Sequence, residues 1–292
     1  MPYFNFGIEF LYPAYPLMRV VFLCKFTLLW YNEKKIKAGI AMRFGRVKIE
    51  QGIFYAEIAK DCARLLSGPP YEEVSYTGDE TPLNACTLLA PSRPQNIVAV
   101  GLNYKSHAAE LAMDTPKEPL IFSKFVSAIL RPNGTIVKPP QCTRLDYEAE
   151  LAFIVGKRCR NVSRQNAAQY IFGYTCLNDV TARDLQNADG QWARCKGFDT
   201  FCPFGPWIDT ETDPGNARVR AILNGKTVQE GNTGDFIFDA YTLLEYISSF
   251  MTLAPGDVVT MGTPGGIGPM ETGDEISIVI DGIGELKNKV GK

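Results

Sequence analysis

From residue 42 onward, apolar and polar positions fall into short runs separated by turn dipeptides, a pattern that predicts strands rather than long helices. Strand-like runs cover Phe44 to Ile49, Phe54 to Ile58, Ile97 to Val100, Leu120 to Phe122 and Glu148 to Val155. Others cover Gly173 to Leu177, Arg218 to Leu223, Asp257 to Thr260 and Glu275 to Ile280. Asn224-Gly225, set between Val219–Leu223 and Thr227-Val228, predicts a type I′ hairpin, because both turn residues tolerate positive φ. Helical periodicity is confined to Arg164–Tyr170, entered from Ser163 as N-cap, and to Tyr241–Phe250, entered near Asp239. Regular alternation of strand and helix is missing, which argues against a doubly wound sheet or a TIM barrel. The chain reads as mainly β with a few short helices, an α+β class.

Residues 66–94 hold Gly68, Pro69, Pro70, Gly78, Pro82, Pro91 and Pro94, and this punctuation divides a small leading domain, 42–93, from a larger one, 94–292. The first forty residues differ from both. Leu11 to Trp30 is largely apolar, but Arg19 and Lys25 interrupt it and Pro13 and Pro16 break its start, so it reads neither as a spanning helix nor as a secretion signal. The expectation is that 1–41 is an extension outside the domain, with the domain starting near Met42.

With 292 residues and 46% hydrophobic content, the chain is long and apolar enough to bury a large core. Its 30 basic and 32 acidic side chains give a formal charge of −2, so no basic field is present to draw nucleic acid or an anionic membrane. Eight cysteines occur without a C-x-x-C pair, which points away from zinc and towards reduced, mostly buried thiols in a cytoplasmic protein.

Candidate chemistry gathers in the larger domain. In Leu145 to Val155, acids recur at spacing two in Asp146, Glu148 and Glu150 before a strongly apolar run. On a strand these side chains share a face, and like charges so close make sense if a cation lies between them. Oxygen ligands favour Mg2+, Mn2+ or Ca2+ over zinc. The competing reading is a solvated strand face. Asp179, at the end of the run before Val180 to Gln186, either caps a short helix or completes a three-carboxylate site. In the second reading Arg183 and Gln186, three apart on a helical face, hold a substrate carboxylate.

The chain has one histidine, His107. In a helix, Glu110 shares its face at i+3 and raises its basicity, which makes a general base; the alternative is a surface histidine beside a stabilising acid. Lys124 and Lys196 stand at the edges of apolar runs where an amine is partly desolvated, unless they are plain surface lysines. Gly262 to Gly268 offers backbone N–H groups and the Thr263 hydroxyl, or is simply a tight turn, and it lacks both the phosphate-loop and the dinucleotide spacings.

Taken in order, these segments resemble the fumarylacetoacetate hydrolase superfamily. The resemblance is carried by Asn103, Tyr104, His107 and Glu110, by Phe122 and Lys124, and by Glu148 and Glu150. It continues through Asp179, Thr181, Ala182, Arg183, Asp184 and Gln186, then Lys196 to Pro203, then Gly262 to Gly268. The phrases Pro116 to Pro119, Phe198 to Pro203 and Asn224 to Gln229 are most similar to its oxaloacetate tautomerase and hydroxymuconate-type isomerase branch.

The resemblance implies a mixed β-sandwich roll, usually a homodimer, with Mg2+ or Mn2+ held by Glu148, Glu150 and Asp179. It implies small 2-oxo or 1,3-dicarbonyl acids as substrates, worked on through a metal-bound enolate. In that scheme His107, oriented by Glu110, moves a proton, Lys196 stabilises developing charge, and Tyr104, Lys124, Arg183, Gln186 and Thr263 bind substrate. Tautomerase or isomerase activity leads; C–C bond hydrolysis, decarboxylation and a non-catalytic ligand-binding protein are the alternatives.

Overall fold

The structure, a computed structural model, describes residues 42–106 and 114–292. The extension 1–41 and the positions of His107 and Glu110 lie outside the described residues.

The fold is mainly β, as the periodicity predicts. A twelve-stranded sheet runs Tyr76–Pro82, Cys62–Leu66, Gly52–Ala59, Arg43–Ile49, Cys202–Asp209, Ile171–Asn178, Ala149–Val155, Val258–Thr260, Ile97–Gly101, Leu120–Lys124. Thr87–Leu89 and Ile129–Leu130 join it off this path. A five-stranded sheet, in the order Lys226–Asn232, Arg218–Leu223, Glu275–Ile280, Gly284–Gly291, Thr135–Val137, packs against the centre of the large one. Most pairings are antiparallel, but Val258–Thr260 lies parallel to Ile97–Gly101 and Gly284–Gly291 parallel to Thr135–Val137. This is a mixed β-sandwich roll with short helices at its margins.

Ala149–Val155 sits near the middle of the large sheet and is buried along its whole length. That explains its unbroken apolar run: a strand covered on both faces has no reason to alternate. Phe153, Leu151 and Ile154 join Ile278, Leu286 and Leu244 in the main hydrophobic core. Burying each such side chain contributes about 1.5–3 kcal/mol, which holds the strand rigid where its leading end carries charge.

The hairpin forms as expected, with Asn224 at φ 50° and Gly225 at φ 80° and Leu223 paired to Lys226. The helix Ala240–Phe250 is capped by Asp239, whose Oδ1 accepts from the Thr242 N–H at 2.8 Å. Two expectations need correction. Arg164–Tyr170 is a 3-10 helix, and Ser163 does not cap it with its hydroxyl; its carbonyl instead accepts from the Asn166 N–H, the tighter i to i+3 bond of that helix. The strand read as Glu148 to Val155 begins at Ala149, because the backbone of Glu148 bonds to Asn178 and Asp179.

The cysteines from Cys62 to Cys202 are all free thiols. Among the described residues no helix is long and apolar enough to cross a membrane.

Candidate active site

Glu148 stands where the chain leaves one sheet and enters another. Before it, Leu145–Tyr147 belongs to a three-stranded sheet with Thr181–Ala182 and Gly268–Met270; after it, Ala149–Val155 belongs to the large sheet. At that step the Glu148 N–H donates to Asn178 Oδ1 at 3.0 Å, and the Asp179 N–H donates to the Glu148 carbonyl at 2.9 Å. Asp179 therefore ends the neighbouring strand directly beside Glu148, and Glu150 follows on the same face. The three carboxylates each present an oxygen within 4.8 Å of the others, and all three are buried, with exposures of 6% for Glu148, 2% for Glu150 and 1% for Asp179.

Like charges so placed repel strongly, and the surroundings answer them unevenly. Lys196, in the helix Ala193–Gly197, donates to Glu148 Oε2 at 2.8 Å and to Asp179 Oδ2 at 2.6 Å. Lys124 donates to Asp179 Oδ1 at 2.5 Å and to the Lys196 carbonyl at 2.7 Å. Arg183 and the Thr181 hydroxyl both donate to Glu148 Oε1. Among the described residues Glu150 has only neutral donors, the Thr260 hydroxyl and the Gly262 N–H, the latter at 3.0 Å.

Protonation preferences follow from these partners. Burial, then Asp179 and Glu148, push the Glu150 carboxyl well above the ordinary carboxylate range. Burial also pushes Asp179 up, but Lys124 and Lys196 together overcome it and hold Asp179 below its ordinary value. Burial pulls Lys196 down, and Asp179 and Glu148 more than reverse that, so its ammonium stays charged. The donor set fits a hard divalent cation: three carboxylate oxygens converge, no soft ligand is among them, and no cationic hydrogen-bond donor among the described residues reaches Glu150.

The other sequence-predicted residues fall around this cluster in different capacities. Lys124 is fully buried and bonded to protein acceptors, so it faces Asp179 rather than open space. Arg183 donates through Nε to Asp146, through Nη1 to Gln186 Oε1 at 2.5 Å, and through Nη2 to Glu148. The Thr263 hydroxyl donates to the Ala149 carbonyl at 3.0 Å and accepts from Gln229. Tyr104 is buried against Phe236, with ring centroids 4.7 Å apart, and its phenol oxygen has no hydrogen-bond partner among the described residues. Lys196 lies 5.2 Å from the centroid of the Phe122 ring.

Sequence reasoning missed Gln229, Thr260 and the inner role of Asp146. Gln229 reaches across from the small sheet, accepting from the Ala149 N–H at 3.0 Å and donating to Thr263 Oγ1 at 2.7 Å and the Pro264 carbonyl at 2.8 Å. It thereby ties the Gly262 loop to the acidic strand. Nothing local in Lys226–Asn232 marks it, since its burial arises only when the two sheets meet.

Comparison with known proteins matches residues 96–291 to the family model described as fumarylacetoacetate (FAA) hydrolase C-terminal, and residues 42–91 to one described as Rv2993c-like, N-terminal. Oxaloacetate tautomerase FAHD2A, mitochondrial, of Homo sapiens is 41% identical over 222 residues, 72% of this chain and 71% of that protein. The structure of 5-carboxymethyl-2-hydroxymuconate delta-isomerase from Mycobacterium smegmatis is 41% identical, covers 86% of this chain and 99% of its own, and has a TM-score of 0.82. Maleylpyruvate hydrolase from Sphingobium sp. SYK-6, solved with manganese (II) and pyruvate, is 29% identical, covers 86% and 99% respectively, and has a TM-score of 0.70.

Proposed function

The chain belongs to the fumarylacetoacetate hydrolase family, and from that premise we propose that it is a divalent-metal-dependent enzyme acting on small 2-oxo or 1,3-dicarbonyl acids by keto–enol tautomerisation or isomerisation. Oxaloacetate and hydroxymuconate-type diacids are the leading substrates. The observation that carries this reading is the convergence of Glu148, Glu150 and Asp179 in a buried site with Lys196 beside them.

In this reading those three acids hold Mg2+ or Mn2+, with Ca2+ as a weaker fit. When bound, the ion polarises the substrate carbonyl and makes the adjacent carbon acidic. Lys196 remains an ammonium between Glu148 and Asp179, so it serves as a fixed donor to charge developing on the substrate rather than as a base. Among the described residues three of the five N–H groups of Arg183 are engaged, and the other two would serve a substrate carboxylate, with Gln186, Thr263 and Tyr104 as further substrate-binding groups. His107 takes the proton from carbon and returns it elsewhere, oriented by Glu110. The enzyme works as a cytoplasmic homodimer.

Hydrolysis of a C–C bond is the second reading, supported by the likeness to maleylpyruvate hydrolase. Ultraviolet assays with enol oxaloacetate, acetylpyruvate and a hydroxymuconate-type diacid, with Mn2+ and with chelator, separate the two. The expected result is metal-dependent turnover of the enol diacid that falls about a hundredfold or more in His107→Ala. Rates equal in wild type and His107→Ala on every substrate would overturn both enzyme readings and leave a binding protein.

A further inference from the structure

We propose that Asp146 is a positioning residue for the acid cluster, acting through Arg183, an inference that rests on the metal-dependent reading above. Asp146 shares the spacing-two pattern of the acids but not their destination. Its strand, Leu145–Tyr147, pairs with Thr181–Ala182, so its side chain meets the first residue of the helix Arg183–Asp189. There it is completely buried, and each carboxylate oxygen accepts from an arginine: Oδ1 from Arg144 Nε and Oδ2 from Arg183 Nε, both at 2.9 Å.

A buried carboxylate is retained only if its partners satisfy it, and here the satisfaction is directional. The guanidinium is planar and rigid, so fixing Nε against Asp146 also fixes where Nη2 points, and Nη2 points at Glu148 Oε1. Lys196 holds the other oxygen, Oε2. Both Glu148 oxygens are thus set by cations, and the one at Oε1 has its own charge partly met by Asp146. Arg183 in this arrangement orients Glu148 while sharing its own charge between Glu148 and Asp146.

The base of the device is itself braced. The Arg183 N–H donates to the Arg144 carbonyl at 2.8 Å, and Asp184 accepts from the Thr143 N–H and hydroxyl at 3.0 and 2.8 Å. Helix and strand are therefore joined on both sides of the Asp146–Arg183 pair. Neutralising Asp146 leaves the full guanidinium charge on Glu148 and releases the fork that aims it.

Titration of the full-length protein with Mn2+, followed by the signal of the free ion in electron paramagnetic resonance, tests this. Asp146→Asn and Arg183→Lys should each weaken Mn2+ binding about tenfold, and the double variant should be no weaker than either alone, because both break one chain of contacts. Asp189→Asn, which removes a carboxylate charge from the far end of the same helix, where it pairs with Arg194, should bind as wild type does. Melting in chelator shows that each variant is folded; if Asp146→Asn is not, Arg183→Lys decides alone, its affinity falling tenfold or refuting the proposal by staying unchanged. Losses that multiply in the double variant, an unaffected folded Asp146→Asn, or an equal loss in Asp189→Asn would overturn it. A wild-type protein that binds no Mn2+ would defeat the metal-dependent reading itself, and this inference with it.

Discussion

Replacing Glu150 by glutamine should stabilise the cation-free protein while abolishing cation binding. Glu148 and Asp179 each bring an oxygen within 4.8 Å of Glu150. At an effective dielectric near 20, each like-charge pair at that range costs about 3.5 kcal/mol. Lys196 offsets roughly one such pair, which leaves a net repulsion on the order of 3 kcal/mol. The amide keeps the shape of the side chain and still accepts from Thr260 and Gly262, so nothing comparable is lost. Relief of that size raises the melting temperature by about 5 to 10 °C in a domain of this length.

The gain must also have a particular pH dependence. Because the folded chain raises the Glu150 pKa, the proton it carries stabilises the fold fully below the ordinary glutamate value of 4.5, and this contribution drains away as pH rises through the folded value. The amide has no proton to lose. The two proteins should therefore melt alike in acid and diverge as pH rises, with the variant higher. Calorimetric melts in chelator across that range measure the gap, and repeating them with Mn2+ should lift wild type alone, by about 2.7 kcal/mol at a hundredfold excess over the dissociation constant. A variant that melts below wild type at alkaline pH, or a gap that ignores pH, would refute the electrostatic account of the site.

Two further outcomes follow from the same geometry. Lys124→Met strips Asp179 of one of its two ammonium partners, and breaking a buried pair in this way costs about 3–5 kcal/mol by chemical denaturation. Asp179 now contributes stability that is present above its ordinary value of 3.8 and lost as pH falls through its depressed folded value, so in Lys124→Met the acid-unfolding limb should move to higher pH; an unmoved limb would exclude Lys124 as the cause. Gly262→Ala should destabilise the fold by about 1–3 kcal/mol and weaken Mn2+ binding together, since Gly262 has φ 87°, an added Cβ would lie 2.9 Å from that of Asn103, and its N–H holds Glu150; a stable variant with unchanged affinity would show that the loop yields freely.

The sequence makes the acidic cluster visible because spacing two on a strand is a local property. Glu150 and the run to Val155 need no tertiary information to be read as one face entering a core. Asp179 is visible as a strand end, but its place beside Glu148 depends on the register that pairs Ala149 with Asn178, which no local pattern dictates. The same pattern misplaces Asp146: spacing sets it on the face of Glu148 and Glu150, whereas the chain changes sheets at Glu148 and turns it towards Arg183. Lys124 looks from its flanks like a substrate group, yet full burial against Asp179 depends on the helix Ala193–Gly197 closing over it. Gln229 was out of reach for another reason, since it arrives from a different sheet some eighty positions away from the acids it supports.

The crossing between sheets at Glu148 bears on how this chain tolerates engineering. Spacing two and the change of sheet at Glu148 together set where these acids point, so one extra residue between Glu148 and Glu150 would turn one of them off the shared face. Libraries that seek new substrates should hold this stretch at fixed length and diversify the margins instead, where Trp192, packed edge-on to Phe122 at 4.9 Å, offers a surface that can change size without disturbing the count.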